Sequence, residues 1–398
     1  MGKMQLNLFK IPPPPQKISI ACVCDNDEKK WGHFIEGHQI CSPEYAFSIS
    51  DVQGVLIAMK DSDKAYKQCK SNLNIPIYTN LDHMISDLAG VASRAIIDIT
   101  SGCNAKCPYC ATGLDNRNNH QHSYNFLSFK TFKEIYEHLI FKGLIWKCSE
   151  LNLFNWGEPF LNNECVDIFS FLSEMQQTYV LSTNASVYRS ASSENTYKFC
   201  KEIFFSMPGF SQKSYDRIHN FSFDTIKSNI EKIYNDMTAH GFEGNAYISA
   251  HAYKFSIAEL EDIKNWADCL GIKVNAYSPY FVGNSLFTKY FKNEFDDNYT
   301  TNIYNDLFTD SWKSLQEKRP ENYRCPIGDW LVLDEKGELL LCCSADVHCS
   351  CYSGWGTIWD VNSYEDYKNI KKHMLTSESC KECRKWGIDY IVSHNTYY

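Results

Sequence analysis

The sequence predicts an α/β protein centred on a partial (β/α)6 barrel. Between residues 94 and 278, short β-rich apolar runs alternate with stretches of helical period. That alternation is the pattern of a parallel sheet with crossover helices. The strands count to six, too few for a closed eight-fold barrel. Polar and cysteine-bearing segments follow several of the strands, where ligands bind in parallel α/β folds.

The six strands are AIIDIT (95–100), LNLF (151–154), TYVLS (178–182), EIFFS (202–206), NAYISAH (245–251) and IKVNAYS (272–278). Helices are expected over 127–144, 165–176 and 257–270. Phe223, Ile226, Ile230, Ile233 and Met237 recur at three and four, which places them on one face of a fourth helix. Upstream, the prolines at 12–15 predict a stiff extended arm. ISIACVC (18–24), VLIAM (55–59) and IPIY (75–78) are strand candidates, with helices over 63–69 and 81–88. Residues 280–324 read as an aromatic and polar bridge with one helix over 304–318. LVLDEKGELLLC, beginning at Leu331, predicts a hairpin. The division expected is 1–88 (a small α/β module), 89–310 (the partial barrel) and 311–398 (a cysteine-bearing tail).

A formal charge of −9, with 44% hydrophobic and 22% charged residues, describes a globular chain and argues against a nucleic-acid surface. No apolar run is long enough for a membrane span, and the N-terminus lacks the features of a signal peptide. Eighteen cysteines in a chain of this size point to a reducing cytoplasm, with thiols that are buried or metal-binding. Cys22, Cys24, Cys41, Cys69, Cys148, Cys165, Cys200 and Cys269 are scattered and read as small buried hydrophobes. The other ten fall within 103–110 and 325–383.

The first group, SGCNAKCPYCATG (101–113), follows a strand directly. Zinc sites usually take four ligands. Here three thiols are local, and the next Cys or His is His120. Three thiolates can hold three irons of a 4Fe–4S cube and leave one iron open. In the tail, Cys325, Cys342, Cys380 and Cys383 could hold either zinc or a 4Fe–4S cluster; spacing alone leaves both open.

CNAKCPYC has the spacing Cys-x3-Cys-x-aromatic-Cys, with Tyr109 in the aromatic slot. In this the chain resembles the radical SAM enzymes. The resemblance implies a 4Fe–4S cluster on Cys103, Cys107 and Cys110, with S-adenosylmethionine on its open iron and Tyr109 against the adenine. Cleavage of the sulfonium would yield a 5′-deoxyadenosyl radical, with electrons from a donor such as flavodoxin or ferredoxin. NWGEP (155–159) is similar to the family's Gly-Gly-Glu segment, which implies that Gly157 and Glu158 meet the methionyl amino group. STNAS (182–186) is similar to its Thr-Asn-Gly segment, implying ribose contacts from Thr183 and Asn184, with Ala185 replacing the glycine. Ser206 stands at the family's other ribose contact, and in YDRIH (215–219) His219 replaces an arginine. The likeness covers about residues 92–280.

The tail resembles the SPASM/twitch extension of that family, through Cys325, Gly337-x4-Cys342, Gly356-Thr357-Ile358 and Cys380-x2-Cys383. One auxiliary 4Fe–4S cluster on those four cysteines is implied, with Cys343 as an alternative to Cys342; Cys343, Cys349 and Cys351 leave room for a second cluster. VCDNDEKKWGHFIEGHQICSP (23–43) resembles half of a Rossmann-like module of sugar-biosynthesis proteins, without its phosphate loop. A ribose contact from Asp25 or a docking role for this degenerate scaffold follows from that likeness.

Oxidation of a small polar substrate, sugar-like or nucleotide-linked, is the expected reaction. Peptide crosslinking, radical epimerisation and a non-catalytic metal-binding role are the alternatives. His251, Tyr253, Tyr277, Tyr280 and Arg324 are the candidate acid–base residues.

Overall fold

The computed structural model describes residues 19–58, 63–118, 124–191, 193–320 and 323–394. The prolines at 12–15, Ile18, Met59 and His120 lie outside them.

The N-terminal segment builds two small sheets. β1 (Val23–Cys24), β2 (Phe34–Ile35) and β3 (His38–Cys41) form one, with β3 central and β1 parallel to it. β4 (Val55–Leu56) and β5 (Ile77–Tyr78) pair in parallel. The run at 18–24 is therefore a strand only at its end. Asp25 is occupied locally: Lys30 Nζ donates to it at 2.7 Å, and so does the Asp27 amide at 2.9 Å.

The main sheet contains β6 (Arg94–Ile97), β7 (Glu150–Asn152), β8 (Tyr179–Thr183), β9 (Cys200–Met207), β10 (Asn245–His251), β11 (Lys273–Tyr277) and β12 (Leu331–Leu333). Its order is β11-β10-β9-β8-β7-β6-β12, parallel at every step. The six strands expected from sequence lie side by side in chain order, and their C-terminal ends point the same way. Helix Phe223–Ala239 shows how the crossovers close the core. Ser222 caps it by accepting from the Thr225 amide, and Ile226, Ile230, Ile233 and Met237 bury one stripe. Each such side chain contributes about 1.5–3 kcal/mol by leaving water.

Three expectations need correction. Leu331–Leu333 does not head a regular hairpin: it adds to the main sheet, parallel to β6. The chain still turns at Gly337, whose φ is +78°, but the returning arm makes only isolated bridges, Leu339 to Leu333 and Glu338 to Thr357. An all-apolar strand suits burial on both faces of a parallel sheet, and β6 offered a free edge. The bridge holds three helices, Asn284–Phe291, Asp297–Asp306 and Asp310–Lys318, where one was expected. Phe281 just before them, with Phe287, Ile303 and Trp312 from the helices, forms a second core with Ile388 and Ile391 from the tail. Finally, Cys69, Cys165 and Cys200 are buried, but Cys24, Cys148 and Cys269 are exposed.

Candidate functional site

One cavity opens at the C-terminal ends of six adjacent strands. Cys103, Cys107, Tyr109 and Cys110 reach it from the loop after β6, and Trp156, Gly157 and Glu158 from the loop after β7. Thr183 and Asn184 come from the end of β8, Ser206 from β9, His251 from β10 and Tyr277 from β11.

The cysteine loop is held from both sides. Asn116 Nδ2 donates to the carbonyls of Cys103 (2.6 Å) and Ala105 (2.8 Å). Arg117 donates to the carbonyls of Lys106, Arg217 and Ile218. Across the cavity, Val282 N donates to Tyr109 O at 2.8 Å and Ala111 N to Val282 O at 2.9 Å. At Gly113 a Cβ would stand 2.4 Å from the Cys107 carbonyl, so only glycine lets helix Ala111–Arg117 press on the loop.

The loop after β7 is fixed by a buried acid. Asp98 accepts from the Trp156 amide at 2.7 Å and the Gly157 amide at 3.2 Å, and burial pushes its carboxyl up to about 7. A Cβ on Gly157 would fall 1.8 Å from the Thr100 carbonyl oxygen. Glu158, only 3% exposed, accepts from Thr183 Oγ1 and the Asn184 amide, each at 2.7 Å, and from the Phe160 amide at 3.2 Å. Burial raises its pKa to about 7 despite these donors. Thr183 and Asn184 thus brace Glu158, a second job beside any contact to a ligand. Asn184 Nδ2 also points at Cys103 Sγ, 3.4 Å away. Ala185 holds φ +57°, a left-handed conformation that suits glycine better.

The opposite wall is aromatic and neutral. His251 lies 6.1 Å from His219, ring to ring, and 5.0 Å from Tyr277. Burial lowers His251 to about 4, and burial with the facing His251 lowers His219 to about 3. His219 Nδ1 is buried and finds no hydrogen-bond partner among the described residues. Tyr253 and Tyr280 complete this wall. Tyr109 lines the cavity by its ring, but its hydroxyl points away and donates to Asp306 at 2.6 Å. Arg324 is not brought to the cavity. It is half exposed and pairs with Asp87 (3.2 Å) and Asp329 (2.6 Å), tying helix Leu81–Ala89 to the turn Pro326–Asp329.

The three loop thiols suit a cationic iron–sulfur group. Burial pushes Cys103 up to about 12 and raises Cys107 and Cys110 as well. Buried thiols become thiolates when a metal binds them, and the Asn184 amide at Cys103 is the kind of hydrogen bond that tunes a ligating sulfur. Among the described residues no three Cys, His, Asp or Glu side chains lie close enough to share a single ion. In a cluster each thiolate goes to its own iron.

A second thiol group sits behind the cavity. Cys325 precedes the turn Pro326–Asp329, Cys342 ends the returning arm, and Cys380 and Cys383 share helix Glu378–Lys385 at i and i+3. Burial, and then the field of Asp389, Cys342, Cys325 and Cys380, pushes the Cys383 thiol well up. Cys342 feels Cys380, and Cys325 feels Cys342. Cys343 turns the other way and packs beside Ile96, Val332 and Leu340. Cys349 feels Cys342, while Cys351 accepts hydrogen bonds beside Ser379. Trp156 lines the cavity and donates through Nε1 to Ala345 O at 3.1 Å, three residues beyond Cys342.

The sequence left Asp98, Asp346 and Lys371 unremarked. Asp346 is buried and accepts from the amides of Ser285 and His348, each at 3.0 Å, between the two thiol groups. Asp98 stands inside the AIIDIT strand, and an acid in a run buried on both faces was its signal.

No protein-family model matches the chain, and no curated protein does. Among solved structures it is similar to Streptococcus suis SuiB bound to S-adenosylmethionine, at 14% identity and TM-score 0.48 over 84% of this chain and 86% of that one. Native anSMEcpe with bound AdoMet gives 16% and 0.43, over 73% and 82%. BtrN in complex with AdoMet and 2-DOIA gives 14% and 0.35, over 74% and 85%.

Proposed function

We propose that the chain is a radical SAM enzyme that oxidises a small hydroxylated substrate. One observation carries this reading. Three half-buried thiols, a buried carboxylate and the Thr183–Asn184 pair meet in one cavity, delivered by three successive parallel strands. Cys103, Cys107 and Cys110 would hold a 4Fe–4S cluster, and Cys325, Cys342, Cys380 and Cys383 an auxiliary one. When bound, the first cluster supplies the electron that cleaves S-adenosylmethionine to a 5′-deoxyadenosyl radical.

The chain's own residues bind and orient. Glu158 offers a carboxylate in a water-poor pocket, where an ammonium is attracted more strongly than in bulk water. Thr183 and the Asn184 amide fix its oxygens, so little reorganises when a cation arrives. Gly157 keeps that loop flat against Thr100. Asn184 Nδ2 orients Cys103 Sγ. On the far wall, Ser206, His219, His251, Tyr253 and Tyr277 present neutral donors and acceptors, which suits an uncharged hydroxyl-bearing molecule. His251, held neutral, can accept the proton of a substrate hydroxyl. The aromatic rings around it keep water from the radical.

Anaerobic reconstitution tests the reading. About eight irons per chain and dithionite-dependent release of 5′-deoxyadenosine are expected. Bound zinc with no cleavage of S-adenosylmethionine would refute it.

A further inference from the structure

Lys371 is in an unusual position for a lysine. It lies on helix Tyr364–Met374, on the inward face that also carries Tyr364, Tyr367 and Met374. Its neighbours Lys372 and His373 are exposed, whereas Lys371 is 4% exposed. Its ammonium donates to the Leu341 carbonyl at 2.7 Å, one residue before Cys342. Among the described residues no carboxylate lies within ion-pair distance of it. An ammonium taken out of water needs an anion, and a neutral carbonyl is a poor substitute. Burial works against its charge, and the groups that act to hold it are thiols: Cys342, Cys380, Cys343 and Cys325. Asp389, the acid whose field acts on Cys325 and Cys383, is already engaged by Arg319 at 3.0 and 2.8 Å. The charge of Lys371 is therefore left to the sulfurs.

We propose that Lys371 is the fixed counter-charge of the tail thiol group, and that its ammonium raises the reduction potential of the iron–sulfur centre held there. The inference rests on the reading of Cys325, Cys342, Cys380 and Cys383 as cluster ligands. Four thiolates around a cluster carry net negative charge, and each added electron makes it more negative. A nearby buried cation stabilises the reduced state more than the oxidised one. The chain thus makes its second centre an easier electron acceptor than four cysteines alone would. Lys371 acts through the cluster ligands and is a positioning residue.

The test uses the full chain with Cys103, Cys107 and Cys110 replaced by alanine, so that only the tail centre remains. Iron is counted and the potential is read by EPR during a dithionite titration, in this background and with Lys371→Met or Lys371→Arg added. The expected result is a potential that falls in Lys371→Met and stays near the parent value in Lys371→Arg, at equal iron. Loss of iron in Lys371→Met alone, with Lys371→Arg loaded at the parent potential, also supports the charge role. An unchanged potential in iron-loaded Lys371→Met overturns the inference, as does loss of iron in both variants, which would make Lys371 a packing residue. If the parent background itself binds no iron, the ligand reading fails, and that failure is distinguishable from the others.

Discussion

The two thiol groups are built on opposite plans. Cys103, Cys107 and Cys110 come from one loop at the end of one strand, and acids surround them. Glu158 acts on Cys103, and Asp346 and Asp115 act on Cys110, with Arg117 as the basic group near Cys107. Cys325, Cys342, Cys380 and Cys383 are gathered from three separate segments around a buried lysine. Negative surroundings oppose reduction of a centre and positive surroundings favour it. If both groups hold clusters as proposed, the first site would favour giving an electron and the second taking one.

The cavity side of this comparison is broken most strongly at its acid. Glu158→Gln keeps the shape but removes the charge offered to an ammonium. Hydrogen bonds to charged groups are worth about 1.5–3 kcal/mol, so the Kd for S-adenosylmethionine should rise about 10- to 150-fold by calorimetry. Iron content should stay unchanged. Next in size is Gly157→Ala, whose Cβ meets the Thr100 carbonyl backbone. Overpacking of that kind costs about 1–3 kcal/mol, read as a lower urea midpoint. The same substitution should leave the tail iron in place.

A third effect concerns pH. His219 and His251 have folded pKa values of about 3 and 4, below the ordinary 6.5. Their contribution to stability is present above pH 6.5 and is lost as the pH falls through the folded values. Asp98 is raised from 3.8 to about 7, so its contribution is present below pH 3.8 and is lost as the pH rises through 7. Between pH 4 and 6.5 the two trends oppose each other. Replacing both histidines by asparagine should leave the metal-free chain losing stability as the pH rises across this window. Glu158, which burial also raises to about 7, adds to the Asp98 trend, so the slope should be up to about 2.7 kcal/mol per pH unit, about 1.36 from each carboxyl, measured by urea denaturation at several pH values.

The legible parts of the molecule were those written locally. Strand–helix alternation gave the six neighbours β6 to β11, because consecutive crossover units land side by side. CNAKCPYC was legible because its three thiols are contiguous. LVL at 331–333 was not, since its partner strand lies more than 230 residues upstream and an apolar triplet fits a hairpin equally well. Two of the bridge helices, Asp297–Asp306 and Asp310–Lys318, are polar and bury only Ile303 and Asp306 on one and Trp312 on the other, too few apolar positions for a helical period to show. Lys371 sits in KNIKKHM, where charge looks like solvent exposure. Its spacing from Tyr364, Tyr367 and Met374 is the sign that it shares the buried stripe. His219 was noticed as a replacement for arginine, but its buried, unpartnered Nδ1 shows only in the folded chain.

The most direct test of this division is 5′-deoxyadenosine release by two reconstituted variants. One replaces Cys103, Cys107 and Cys110 by alanine, and the other replaces Cys325, Cys342, Cys380 and Cys383. Each should keep roughly half the iron. The first should release no 5′-deoxyadenosine under dithionite, and the second should still release it. Cleavage of S-adenosylmethionine that survives loss of the first three cysteines would contradict the account.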